Sequence, residues 1–92
     1  MPKILFVEDE IAILETLKRY FTKEGFEVFG ARSLREAVET VQRFNPRVVV
    51  LDVMLNEGPE PEHDGYAVCK ALRDEGFAGP VIFVTARTSE DD

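Results

Sequence analysis

The chain lacks paired cysteines, a long apolar run and a secretory leader. Cys69 is its single cysteine, so no disulfide can form within the chain. No apolar run approaches the roughly 20 residues that cross a bilayer. No basic segment followed by an apolar one opens the sequence in the manner of a secretory leader. These absences argue against a membrane protein and a disulfide-rich secreted domain, and they predict a protein of the reducing cytoplasm.

Positive charge is also scarce. The chain has 11 basic and 18 acidic residues among its 92, which gives a net charge of −7. An acidic surface repels the phosphate backbone, so the sequence argues against direct nucleic-acid binding by this segment. The length allows one small domain, and the 45% of apolar residues can supply its core. We therefore expect one folded unit over residues 1–92.

Four short apolar runs predict four β-strands. Three of them are rich in β-branched residues and bounded by polar ones, a pattern that is typical of strands covered on both faces. The remaining run alternates in polarity, as an edge strand does. The runs are residues 4–7, 26–29, 48–51 and 81–84, of which 26–29 is the alternating one.

Helical periodicity fills each interval between these runs. Ser33 and Glu36 form a capping-box pattern at the start of the second helix, while Gly25, Pro46 and Gly76 mark the three helix ends. The predicted order is β-α-β-α-β-α-β, which implies a doubly wound parallel sheet with right-handed crossovers. The residues predicted to face the core are Ile11, Leu14, Leu17, Phe21, Leu34, Ala37, Val38, Val41, Phe44, Val68 and Leu72.

Oxygen-bearing side chains follow three of the predicted strands. Glu8 and Asp9 follow the first strand, Asp52 the third and Thr85 the fourth. The carboxyl ends of parallel strands meet at one edge of the sheet, where open α/β sheets bind ligands. Two carboxylates about 5 Å apart repel by roughly 3 kcal/mol at an effective dielectric constant of about 20, so such a cluster favours a bound cation. Oxygen ligands at an open site favour Mg²⁺.

An acidic pocket that holds a metal ion suits phosphoryl chemistry. A metal-held carboxylate can act as a nucleophile, because the ion offsets the charge of an arriving phosphoryl group. Asp52, which stands alone at the end of a central strand, is the natural nucleophile. The hydroxyl of Thr85 would lie across the same edge, within reach of a phosphoryl oxygen.

The chain resembles the receiver domain of two-component response regulators. The resemblance implies a flavodoxin-like fold with strand order 2-1-3-4 in this chain, and a signalling switch rather than an enzyme. It also implies the N-terminal part of a transcriptional regulator. The segments that carry the resemblance are KILFVEDE at 3–10, VLDVML at 50–55, Asp64-Gly65 and VTAR at 84–87.

The same resemblance implies a role for each site residue. Asp52 matches the aspartate that accepts a phosphoryl group from a sensor histidine kinase. Asp9, Asp52 and the backbone carbonyl of Met54 match the direct ligands of Mg²⁺, and Glu8 matches the acid that holds the ion through water. Thr85 matches the hydroxyl that moves toward the phosphoryl group and switches the surface around the last strands.

The chain departs from the family's pattern in two places. Gly65 lies farther from Asp52 than is usual, because residues 57–63 lengthen the intervening loop. This loop either restricts kinase docking or has no consequence. The lysine that ends the family's fifth strand has no match, so we expect a receiver that is incomplete at its C-terminus. Residues 81–84 would then form an exposed apolar edge, which predicts a homodimer or a domain-swapped oligomer.

Other functions fit the sequence less well. An aspartate-based phosphohydrolase or a metal-dependent nuclease needs a second acid two residues after Asp52, and Met54 stands there. A dinucleotide site needs glycines after the first strand, where acids stand instead. The serious alternative is a truncated or degenerate receiver that acts as a non-phosphorylated protein-interaction module. The intact acids favour the switch, and the missing lysine favours the module.

Overall fold

A computed structural model describes residues 1–52 and 65–84, and seven elements lie in these ranges. Helices and strands alternate throughout, as the sequence predicts. The elements are β1 (Lys3–Val7), α1 (Ile11–Lys23), β2 (Glu27–Ala31), α2 (Leu34–Phe44), β3 (Val48–Asp52), α3 (Gly65–Asp74) and β4 (Val81–Val84). Every helix in the described ranges is too short or too polar to span a bilayer.

The strands form a parallel sheet in the order β2-β1-β3-β4, which confirms the predicted fold. In the register, Val7 pairs with Ala31 on one side and with Leu51 on the other. Asp52 pairs with Val84 of β4. The carboxyl ends of β1, β2 and β3 therefore lie level at one edge, and the residues that follow β1 lie next to the last residue of β3.

The sheet separates two apolar cores of unequal size. The larger core lies under α2 and α3, where Leu5, Leu51 and Leu72 are completely buried. The smaller core lies under α1 and is built on Ile4, Phe6 and Leu14. Burying each such side chain stabilises the fold by about 1.5–3 kcal/mol. The prediction that Val68 and Leu72 face the core is confirmed, since both have no exposed surface.

The helix ends lie where the sequence places them. Gly25 and Gly76 follow α1 and α3 with φ angles of 99° and 97°, which a residue with a Cβ adopts only with strain. Ser33 caps α2, and its Oγ accepts a hydrogen bond from the N–H of Glu36 at 3.2 Å. The Glu36 carboxylate accepts from the N–H of Arg32 at 2.8 Å. That donor lies one residue before the one that a standard capping box uses.

β2 is displaced along the chain from its predicted position. Residues 26–29 are the predicted strand, whereas the structure has Glu27–Ala31. Phe26 belongs to the turn that closes α1, because its N–H donates to the carbonyl of Phe21 at 3.0 Å. The strand then continues through Gly30, where a Cβ would lie 3.0 Å from two side-chain atoms of Leu14. Glycine at this position lets α1 pack closely on β2.

The expectation that β4 is covered on both faces is wrong for the described residues. Ile82, Phe83 and Val84 are 50%, 39% and 46% exposed. Phe83 contacts the ring of Tyr66 on one face, with 4.9 Å between the ring centroids. On the other face α1 lies over β1 and β2 rather than over β4. Ile11, predicted to face the core, is 56% exposed at the first turn of α1.

Candidate functional site

The acids that follow β1 and end β3 meet at the carboxyl edge of the sheet. One carboxylate oxygen from each of Glu8, Asp9 and Asp52 lies within 4.8 Å of the other two. Glu8 and Asp52 are buried, with 6% and 8% of their surface exposed, and Asp9 is half-buried. The sequence predicts this gathering from strand ends alone, and the pairing of β1 with β3 produces it.

Backbone hydrogen bonds hold the segment that carries Glu8 and Asp9. The N–H of Glu8 donates to the carbonyl of Ala31 at 2.9 Å, which extends the pairing of β1 with β2 by one residue. The N–H of Glu10 donates to Oε2 of Glu8 at 3.1 Å. The carbonyl of Glu10 accepts from the N–H of Leu14 at 3.0 Å and so begins α1. The acids are therefore held between a strand end and a helix start.

The cluster is electrostatically unfavourable without a cation. Burial raises the pKa of Glu8 above its ordinary value, and the negative charges of Asp52 and Asp9 raise it further. The hydrogen bond from the N–H of Glu10 opposes the rise, because it stabilises the charged form. A positive ion among the three carboxylates would offset both the burial and the repulsion.

The chemistry of the donors fits a hard divalent cation. All three side chains offer carboxylate oxygens, and their spacing of at most 4.8 Å lets them converge on one ion with small side-chain movements. Soft ligands are the mark of zinc and copper sites, and the single thiol packs against the core from α3. The arrangement is therefore suited to an ion of the Mg²⁺ type.

Several predicted site features lie outside the described residues. These are the backbone carbonyl of Met54, the hydroxyl of Thr85 and the loop at 57–63. The structure brings Glu8, Asp9 and Asp52 together, while their individual roles stay predictions.

Arg32 is a site residue that the sequence does not reveal. It follows β2, and its guanidinium donates to the backbone carbonyl of Asp9 from Nε at 3.4 Å and from Nη2 at 3.2 Å. The two residues are 23 positions apart, and no motif joins them. The one available signal is the strand order, which places the carboxyl end of β2 beside that of β1.

Comparisons with protein families and with curated proteins both point to response regulators. The family model described as "Response regulator receiver domain" matches residues 4–92. The alkaline phosphatase synthesis transcriptional regulatory protein PhoP of Bacillus subtilis is 37% identical over 90 residues, which are 98% of this chain and 35% of that protein. The chain thus spans about a third of the length of this curated relative.

Solved structures show the same likeness. The receiver domain of the Francisella response regulator 1452 superposes with a TM-score of 0.79 at 29% identity, covering 98% of this chain and 70% of that one. The MaeR response regulator bound to beryllium trifluoride superposes with a TM-score of 0.76 at 25% identity, covering 97% and 70%.

Proposed function

The chain belongs to the response regulator receiver domain family, and on that premise we propose that it is a phosphoacceptor switch of a two-component system. In this proposal a sensor histidine kinase transfers a phosphoryl group to Asp52 in the presence of Mg²⁺. The observation that carries it is the convergence of Glu8, Asp9 and Asp52 within 4.8 Å. We further propose a cytoplasmic protein whose receiver regulates transcription, as the name of its relative PhoP suggests.

The chemistry follows from the positions of the acids. An oxygen of the ionised Asp52 carboxylate attacks phosphorus and forms an O–P bond, while the bond from phosphorus to the donor's imidazole nitrogen breaks. The electron pair of that bond stays with the nitrogen. Glu8 and Asp9, beside Asp52, would hold the cation. Bound Mg²⁺ supplies positive charge that offsets the charge of the phosphoryl oxygens.

Two further roles complete the proposed site. The backbone carbonyl of Met54 would contribute the third protein ligand of the cation, and the hydroxyl of Thr85 would bond a phosphoryl oxygen. Thr85 directly follows β4, whose last residue pairs with Asp52. A conformational change caused by phosphorylation would therefore reach the exposed end of β4 first.

Small-molecule donors test the switch without its kinase. With acetyl phosphate and Mg²⁺ we expect the intact protein to gain the mass of one phosphoryl group, and peptide mapping to locate it on Asp52. The same incubation with EDTA should give no adduct, because the three acids then repel the incoming anion. Beryllofluoride, which the neighbour MaeR binds, provides a stable substitute for the phosphoryl group. A protein that forms no adduct at saturating donor and Mg²⁺ would not be a switch.

A non-phosphorylated interaction module is the second candidate function, and one surface favours it. A groove of about 450 Å³ opens between α1 and the uncovered face of β3 and β4. Its walls are apolar, and Glu8 and Asp52 line the end of the groove that lies at the carboxyl edge of the sheet. The apolar residues that line it are Ile4, Phe6, Ile13, Leu17, Phe21, Val50, Ile82 and Val84. Such a surface suits a protein contact whether or not Asp52 is phosphorylated.

We propose that a second copy of the chain covers β4. The strand ends the described sheet, and Ile82, Phe83 and Val84 present a run of exposed apolar side chains. Sheet edges of this kind pair readily with another edge unless charge blocks them. Two copies related by a two-fold axis would bury both runs at once.

Ile82→Lys should make the protein monomeric. Lysine at a sheet edge opposes pairing, because its charge would be buried in the contact. In sedimentation velocity, the wild type is expected to shift toward a dimer as its concentration rises, and the variant to stay at the monomer value. Ile11→Lys is the matched control, since Ile11 is 56% exposed on another element. A wild type that stays a folded monomer at high concentration would contradict the proposal.

A further inference from the structure

We propose that Arg32 is a positioning residue for the cation site, acting on the Glu8 carboxylate through the peptide group between Asp9 and Glu10. The inference rests on the proposed function in one respect, namely that Glu8 helps to hold Mg²⁺. It goes beyond that function by assigning the geometry of Glu8 to the guanidinium of Arg32, the residue that follows β2.

The Asp9–Glu10 peptide group is hydrogen-bonded at both its carbonyl oxygen and its N–H. Its carbonyl oxygen accepts two hydrogen bonds from Arg32, at 3.4 Å from Nε and 3.2 Å from Nη2. Its N–H, which belongs to Glu10, donates to Oε2 of Glu8 at 3.1 Å. A peptide group is planar, so fixing the direction of the carbonyl fixes the direction of the N–H. Arg32 thereby sets where the Glu8 carboxylate is held.

The two bonds also strengthen each other electronically. A guanidinium on the carbonyl oxygen withdraws electron density from the peptide group, which makes the N–H on the other side a better donor. Oε2 of Glu8 is occupied by this N–H. A carboxylate oxygen of Glu8 lies within 4.8 Å of one from each neighbouring acid, so holding this carboxylate in place holds a ligand of the cluster.

Hydrogen bonds hold the backbone at Arg32 in place. Its own N–H donates to Oε1 of Glu36 at 2.8 Å, and Glu36 is tied to the cap of α2 through the Oγ of Ser33. The residue before it, Ala31, is completely buried and accepts the N–H of Glu8. The end of β2 and the end of β1 are thus joined twice, once by backbone and once by the guanidinium.

Arg32 can change the affinity for Mg²⁺ in two ways that have opposite signs, so a measured affinity tests the inference. As a positive charge near the site, Arg32 repels a cation, so removing it by itself would strengthen Mg²⁺ binding. As a positioning residue it supports Glu8, so removing it weakens binding. The residues that orient metal ligands typically contribute about 10–100-fold in metal affinity. We expect the positioning effect to exceed the repulsion.

Mg²⁺ titration by calorimetry measures the effect without any phosphoryl donor. Arg32→Ala is expected to bind Mg²⁺ about tenfold more weakly than the wild type. Arg35→Ala is the matched control, because it removes the same charge from an exposed position on α2. It should bind as the wild type does or slightly more tightly. Far-UV circular dichroism in EDTA should show both variants folded, since the N–H at position 32 still bonds to Glu36.

Arg32→Lys separates the effect of hydrogen-bond geometry from that of charge. It replaces the alanine variant in the test if that variant folds poorly. It keeps the positive charge but loses the two-donor fork, so weaker Mg²⁺ binding in this variant reports the lost geometry. In a Glu8→Gln background, Arg32→Ala should change the affinity by less than about twofold, because the two residues act through one peptide group. A further tenfold loss in that background would place the action of Arg32 elsewhere and overturn the inference.

The outcomes distinguish this inference from the function on which it rests. A wild type that binds Mg²⁺ while Arg32→Ala binds it equally or more tightly overturns the positioning role alone. A wild type that does not bind Mg²⁺ overturns the metal-assisted switch and the positioning role together.

Discussion

Asp52→Asn is expected to abolish the phosphoryl adduct completely. An amide oxygen is a far weaker nucleophile than a carboxylate, and an amide also withdraws one of the three charges that would hold the cation. After incubation with acetyl phosphate and Mg²⁺, the intact mass of the variant should equal that of the untreated protein. The wild type, treated in parallel, should gain one phosphoryl group.

Asp74→Asn provides the matched control for this experiment. Asp74 is an exposed acid at the end of α3, where its carboxylate lies 3.2 Å from the ammonium of Lys70. The same Asp-to-Asn change there should leave the adduct unaltered. If Asp52→Asn still gained the phosphoryl mass, the acceptor would be another residue, and Glu8 and Asp9 would be the next to test because they share the cluster.

Leu5→Ala is expected to lower the free energy of unfolding by about 2–5 kcal/mol, through lost burial and the cavity left behind. Leu5 lies on the central strand β1, completely buried between Phe29 and Val49 in the register. Domains are usually stable by only about 5–15 kcal/mol, and small ones lie near the lower end. The substitution therefore removes a large share of the total, and urea unfolding followed by circular dichroism measures it.

Ile11→Ala is the control for the loss of aliphatic side-chain atoms alone. Ile11 is 56% exposed, so its truncation should change the free energy of unfolding by no more than about 0.5 kcal/mol. Should Leu5→Ala cost as little as Ile11→Ala, the side chain of Leu5 would not lie in a close-packed core, and the described packing of α2 and α3 on the sheet would be wrong.

The features that were predictable from sequence are those that local chemistry decides. Strands β1 and β3 follow from short β-branched runs, and Gly25 and Gly76 follow from the positive φ that ends their helices. The cap at Ser33 depends on a residue three positions away, so a local pattern contains it. The alternation of these elements then fixes the parallel sheet, and the sheet brings together the acids at its edge.

The features that escaped prediction depend on neighbours distant in sequence. A run of valines, isoleucine and phenylalanine looks alike at the centre and at the edge of a sheet, so residues 81–84 by themselves predict a covered strand, and only the unmatched lysine of the family's fifth strand predicts the exposure of Ile82 and Val84. The predicted start of β2 lies one residue too early, because Phe26 is equally suited to a strand and to the turn that closes α1. The contact of Arg32 with Asp9 requires the strand order and a side-chain direction together.

The position of β1 inside the sheet has a consequence for the route by which the chain folds. β1 precedes its partner β3 in the chain by two helices and β2, since Ile4 pairs with Val48. Such non-local pairing of parallel strands is a slow step in folding. Glu8 and Asp9 lie beside Asp52 only once this pairing has formed, and we expect it to form after the transition state. An ion bound there should then slow unfolding while leaving the folding rate nearly unchanged.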